Sequence, residues 1–207
     1  MIIQEHKENL ESHGLQETNT FSFDVNAETF KIFSDNLYSD APYAVVREIV
    51  SNAWDSHVTA GKTDTKFDVQ LPTPLEPTFS VRDYGTGLSH EDVMSLYSTY
   101  MKSTKRDSND NIGGYGLGSK TPLSIQEECT VTSWFDGEQR DYLVFLGKTG
   151  VPTISLTHSQ KSQQPNGLKV SVEVPYSKIR NFIEGFKKMF MFQDNMTWNL
   201  TNDVLLI

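Results

Sequence analysis

The chain has 207 residues and a formal net charge of −9, with 37% hydrophobic and 11% aromatic residues, which is ample for one folded domain. That acidity argues against broad, sequence-independent binding to DNA or RNA, which needs cationic surface. It leaves room for a single nucleotide, whose phosphates can be held by backbone N–H groups and one or two lysines.

The single cysteine, Cys129, cannot form an intrachain disulfide and fits a reducing, cytoplasmic setting. Residues 1–7 lack the apolar stretch of a signal peptide. No run approaches the roughly 20 apolar residues of a membrane span.

In chain order, residues 1–18 read as a flexible polar arm, and residues 19–207 as one domain. Phe21, Phe23 and Val25 alternate with polar residues, as in a strand. Asn26 is placed to cap a helix through Phe30, Phe33 and Leu37. Asp40, two residues before Pro42, opens a second helix that runs to about Ala60 and stops at Gly61. Strands are expected over 66–71 and 78–83, on either side of a turn rich in proline. Ser89 and Asp92 form a capping box for a short helix. Residues 101–111 are polar and read as a flap, followed by a glycine cluster and a short helix over about 119–126.

The second half reads as a strand meander. Strands over 130–135 and 139–146 meet at Asp136-Gly137, a hairpin turn sequence. Further strands are expected over 151–157 and 168–174, with 158–167 as a loop between them. A last helix covers about 177–191. The pattern is α+β.

Three segments carry chemistry. The first is Glu48, Asn52 and Asp55 on the second helix. At about 100° per residue, Asn52 lies roughly 40° from Glu48, and Asp55 roughly 20° the other way. Two carboxylates and a carboxamide thus share a face, between the apolar Val45, Ile49, Val50 and Trp54. Alone, the pattern also describes a solvated polar stripe. His57 falls close to the opposite side and reads as a packing or surface histidine.

The second segment, Asp83-Tyr84-Gly85-Thr86-Gly87, ends an apolar strand. Its glycines allow close backbone approach to a ligand, and Asp83 can accept from an amino group. It also suits a plain turn with an Asx bond. The third is Gly113, Gly114, Gly116 and Gly118, leading into Ser119-Lys120-Thr121. Backbone N–H groups, a helix start and a lysine suit phosphates, although a glycine hinge has the same composition. A P-loop is excluded, because Ser119 intrudes before Lys120. The dinucleotide fingerprint does not fit either.

The segments follow in one order, with Asp83 28 residues after Asp55 and Gly113 30 residues after Asp83. The ordered set resembles the GHKL nucleotide-binding domain shared by DNA gyrase B, the heat-shock-90 chaperones, sensor histidine kinases and MutL. Within that superfamily, the stretches 44–48, 51–52, 55–57, 108–110 and 112–120 resemble the N-terminal domain of bacteriophage rIIA-type rapid-lysis proteins. The similarity runs from about Phe21 to Phe186.

The resemblance implies a two-layer α+β sandwich with a mixed, mostly antiparallel sheet and helices on one face. It implies Mg²⁺-dependent ATP binding with slow hydrolysis. Glu48 matches the general base, Asn52 the Mg²⁺ ligand, Asp83 the adenine-reading carboxylate, and Gly85 and Gly87 the base pocket. Asp55 matches a residue near the adenine or its waters. Gly113, Gly114, Tyr115, Gly116, Leu117, Gly118, Ser119 and Lys120 match the phosphate-wrapping lid, about residues 101–118, and its exit.

The implied partners are ATP or ADP, a second copy in a nucleotide-dependent homodimer, and a host or phage protein during infection, with at most peripheral membrane association. A non-hydrolysing, nucleotide-gated interaction module is the competing reading. Two departures bear on the choice. Gly167-Leu168 stands where a Gly-Thr pair is usual, so a hydroxyl near the base is missing. The following domain that supplies a catalytic lysine in gyrase and MutL is not expected within 207 residues.

Overall fold

A computed structural model describes residues 40–98, 118–191 and 196–202. The expected arm, the strand over 21–25, the helix through Leu37 and the flap lie outside these residues. So do Gly113, Gly114, Tyr115, Gly116 and Leu117.

Helix α1 (Ala41–Thr59) starts where the sequence places its start. The Asp40 side chain accepts from Tyr43 N, and proline occupies the first turn. At the other end, Gly61 adopts φ 65°, and Lys62 N closes the turn onto His57 O at 2.9 Å. Val45, Val46, Ile49, Val50 and Ala53 form its buried stripe.

Two strands follow, β1 (Phe67–Gln70) and β2 (Thr78–Arg82), then helix α2 (His90–Ser98). The Ser89–Asp92 box is present: Ser89 Oγ accepts from Asp92 N and donates to Asp92 Oδ2. Residues Gly118–Ser124 form a 3-10 helix rather than an α-helix. Pro122 inside it cannot donate a helical hydrogen bond, which favours the short, tight form.

Strands β3 (Glu128–Phe135), β4 (Glu138–Leu146), β5 (Pro152–Lys161) and β6 (Gly167–Glu173) complete the meander. Helix α3 (Ile179–Phe190) and strand β7 (Trp198–Leu200) end the described chain.

The sheet has seven strands in the order β5-β4-β3-β6-β2-β1-β7, with every pairing antiparallel except β1 with β7. One transverse row, Val69–Val81–Val170–Val131–Tyr142–Leu156, is apolar. The adjacent row, Asp68–Arg82–Lys169–Thr132–Asp141–His158, is polar throughout. One face is therefore buried and the other solvated, as an antiparallel sheet allows. Helices α1 and α3 lie together on the buried face, with Phe79 against Phe182 at 5.3 Å between ring centroids. This is the expected mixed, mostly antiparallel α+β sandwich.

Two elements differ from the sequence reading. β5 continues to Lys161 instead of ending at Thr157. It is an exposed edge strand held by backbone pairing to β4 across a bulge at Asp141/Tyr142, so polar side chains do not end it. β7, unforeseen, adds Trp198 beside Phe190 at 3.7 Å between ring centroids.

Candidate functional site

The site lies where β2 ends and β6 begins, beneath the C-terminal half of α1. Asp83 leaves β2 at this point and is 4% exposed. Its carboxylate accepts three hydrogen bonds. Ser56 Oγ and Gly85 N each donate to Oδ1 at 2.9 Å, and Leu168 N donates to Oδ2 at 3.2 Å. Burial pushes its pKa up to about 6, while these three donors and the nearby Arg82 guanidinium act in the opposite direction. Each carboxylate oxygen has two acceptor positions, so one on Oδ2 is not filled by any of the described residues.

The loop is pressed against its neighbours. A Cβ at Gly85 would stand 2.2 Å from Ser56 Oγ, and one at Gly87, where φ is 68°, 2.4 Å from the Trp134 carbonyl oxygen. Only glycine permits this approach. The next backbone group is tied down as well. Tyr84 N donates to His57 Nε2 at 2.8 Å, which leaves the ring proton on Nδ1 to face Thr65 O at 3.0 Å. His57 is fully buried, and desolvation lowers its pKa. The ring thus packs in the interior, accepting from Tyr84 N on one nitrogen and facing Thr65 O with the other.

Two turns earlier on α1, Glu48 is part-buried. Arg47 Nη2 donates to its Oε1 at 2.7 Å, and a Cβ at Gly118 would come within 2.3 Å of its Oε2. Asn52 lies one helical turn from both Glu48 and Ser56 and is half-buried. Asp55 is fully buried, with Thr59 Oγ1 on its backbone carbonyl at 2.8 Å. Along α1, Glu48 meets Gly118, and two turns on Ser56 meets Asp83 and Gly85, with Asn52 between the two contacts in the chain. Lys120 is held differently. Its buried amine donates to Leu96 O on α2 at 2.6 Å, and desolvation lowers its pKa to about 8.

A sequence model of the "Histidine kinase-, DNA gyrase B-, and HSP90-like ATPase" family matches residues 38–171, a span containing every one of these groups. The chain belongs to this family. Two bacterial relatives are similar at lower identity. The chaperone protein HtpG of Sulfurovum sp. (strain NBC37-1) is 27% identical over 146 residues, 59% of this chain and 23% of the relative. HtpG of Rickettsia rickettsii (strain Sheila Smith) is 26% identical over 164 residues, 68% of this chain and 26% of the relative. The chain therefore spans about a quarter of the length of the curated relatives it matches.

ATP is the ligand that this HSP90-like ATPase family implies, and the residues suit it. Ser119 Oγ, next to Gly118, is buried and finds no hydrogen-bond partner among the described residues. Asp83 keeps one acceptor position open among the described residues. Among the described residues, no three His, Cys, Asp or Glu side chains are grouped to hold a metal ion. No helix among the described residues is long and apolar enough to cross a membrane.

The sequence reading missed Ser56, which bonds directly to the buried carboxylate. Its signals were its place one residue after Asp55 and one turn after Asn52, inside the stretch 55–57 that carries the resemblance.

Proposed function

We propose that this ATPase-family domain binds Mg·ATP between α1 and the Asp83 loop and hydrolyses it slowly, within a phage rIIA-type protein acting during infection. The observation that carries the reading is the buried Asp83 carboxylate with one acceptor position open, on the same helix-and-loop frame that presents Glu48 beside Gly118. Asp83 accepts from the adenine amino group. Gly85 and Gly87 let the base lie against backbone. Asn52 supplies an amide oxygen to Mg²⁺. Bound Mg²⁺ supplies charge neutralisation at the triphosphate.

Glu48 orients a water and takes its proton. Arg47, bonded to the other oxygen, fixes the carboxylate direction. Ser119 donates its unpartnered hydroxyl to a phosphate oxygen, residues 113–118 wrap the phosphates, and Lys120, anchored on Leu96 O, supports that loop. Asp55 supports the adenine side through water. The domain extends over 19–207 behind the arm at 1–18. Closure over the nucleotide pairs two copies and presents a surface to a host or phage protein.

Melting shifts with ATP, ADP and a non-hydrolysable analogue, each with and without Mg²⁺, test the binding. Stabilisation that depends on Mg²⁺ and is lost in Asp83→Asn is expected. No shift with any nucleotide would sink the proposal. Glu48→Ala should retain the shift and lose phosphate release; equal release from both proteins removes Glu48 from its role.

A further inference from the structure

Asp83 is bonded from three separate parts of the chain, and only one of the three donors is a side chain. That donor is Ser56. Its hydroxyl oxygen already accepts from Thr86 N at 3.3 Å, so its proton is turned toward Asp83 Oδ1 at 2.9 Å. Gly85 N fills the second position on Oδ1. Ser56 therefore bonds the carboxylate and the loop that follows it at once, from a helix turn that a Cβ at Gly85 would strike.

A buried carboxyl can stand in two forms, and they present opposite faces to a ligand. Ionised, Asp83 only accepts, and the open position on Oδ2 suits an amino group. Protonated, it offers an O–H and suits a keto oxygen. Burial favours the second form and hydrogen-bond donors favour the first.

We propose that Ser56 is a specificity-determining residue: by donating to Oδ1 it keeps Asp83 an acceptor-only carboxylate, so that the pocket selects a 6-amino purine nucleotide over a 6-keto one. This rests on the nucleotide site proposed above and adds what sets its base preference.

Beside the backbone donors Gly85 N and Leu168 N, Ser56 is the side chain among the described residues that bonds the carboxylate, and the charged and titratable groups around it do not. Arg82 is next to it on β2, and its guanidinium lies over the Trp134 ring at 3.7 Å. Lys169 of β6 pairs with Arg82 across the strands. On α1, His57 serves as a neutral acceptor for Tyr84 N, and Asp55 precedes Ser56. Lys62 donates to Tyr84 O at 2.8 Å, and Asp68 of β1 accepts from the Tyr84 hydroxyl at 2.5 Å. Of these, Arg82 acts on the carboxylate through charge alone.

Carboxyl ¹³C titration of aspartate-labelled protein reads Asp83 without any nucleotide. Ser56→Ala should move its midpoint up by about one pH unit, and Ser56→Thr, which keeps the hydroxyl, should restore it. In parallel, affinities for ATP and for inosine triphosphate are measured from pH 5 to 8. The wild type should prefer ATP at pH 7.5, and the preference should shrink as pH falls. Ser56→Ala should reduce the preference at pH 7.5 about tenfold.

An unmoved midpoint overturns the proposal. So does a moved midpoint with an unchanged ATP-to-inosine ratio. Asp83→Asn separates the two levels: if that variant binds ATP as the wild type does, the pocket reading itself fails, whatever Ser56 does.

Discussion

A methyl group at Gly118 would come within 2.3 Å of Glu48 Oε2, so the first residue of the 3-10 helix sets how far the proposed general base can reach. The intruding atom would meet the mobile end of a side chain, not backbone. Gly118→Ala should therefore fold normally and displace the carboxylate. We expect phosphate release to fall at least about tenfold, with ATP affinity within about twofold of wild type. Single-turnover kinetics with calorimetry decides this; unchanged release means that the contact does not position Glu48.

Asp83 is destabilising as an ionised group. Its pKa is raised from 3.8 to about 6, so between those values the folded chain holds a proton that the unfolded chain has released. Stability contributed by this group is full below the lower value, is lost as pH rises to about 6, and stays lost above it. The difference is about 3 kcal/mol at neutral pH. Asp83→Asn sets its amide NH2 against one of the three donors to this carboxylate at a cost that does not vary with pH, so its melting point relative to wild type should rise as pH goes from 4 to 7.5. It should also lose its response to ATP. A calorimetric melting series with an equal gap at all pH values would contradict the sign.

His57 has the opposite linkage. Its lowered pKa means that the stability it contributes is present above about pH 6.5, the unfolded value, and is lost as pH falls below it. Protonation would remove the acceptor for Tyr84 N. His57→Gln should cost about 1–3 kcal/mol at pH 7.5 by upsetting that bond. The deficit should be smaller at pH 5, where the wild type has lost part of the same contribution. Urea unfolding at the two pH values measures it; a constant deficit would show that the ring stays unprotonated.

Two glycines provide a paired test of close packing. A Cβ at Gly167 would stand 2.0 Å from the Asp83 carbonyl oxygen, backbone against backbone, whereas one at Gly61 would meet nothing within 4 Å. Gly61→Ala should cost about 1 kcal/mol for its positive φ alone. Gly167→Ala should cost at least about 3 kcal/mol, because strands β2 and β6 must separate. Similar costs at both positions would mean that the β2–β6 junction yields more easily than its contacts indicate.

Much of this was legible in the sequence because it is local. Asp40 and Pro42 announced α1, the spacing of Glu48 and Asn52 announced a shared face, and Asp136-Gly137 announced a hairpin. What the sequence could not convey depends on residues that meet only in the fold. Ser56 looks like any helical serine until β2 brings Asp83 beneath it, 27 positions on. Leu168 lacks the expected hydroxyl, yet its backbone N–H reaches Asp83, a contact that no side-chain pattern records. β5 runs on through polar residues because edge pairing needs only backbone. β7 is three residues long and too short for periodicity to reveal.

The Asp83 carboxylate takes its donors from positions 56, 85 and 168. No fragment ending before β6 can assemble that cluster, so during synthesis the pocket comes into being only after residue 168 has emerged. A ligand recognised there can act late, on the finished sheet. It should slow unfolding far more than it speeds folding, provided the β2–β6 pairing forms after the rate-limiting barrier.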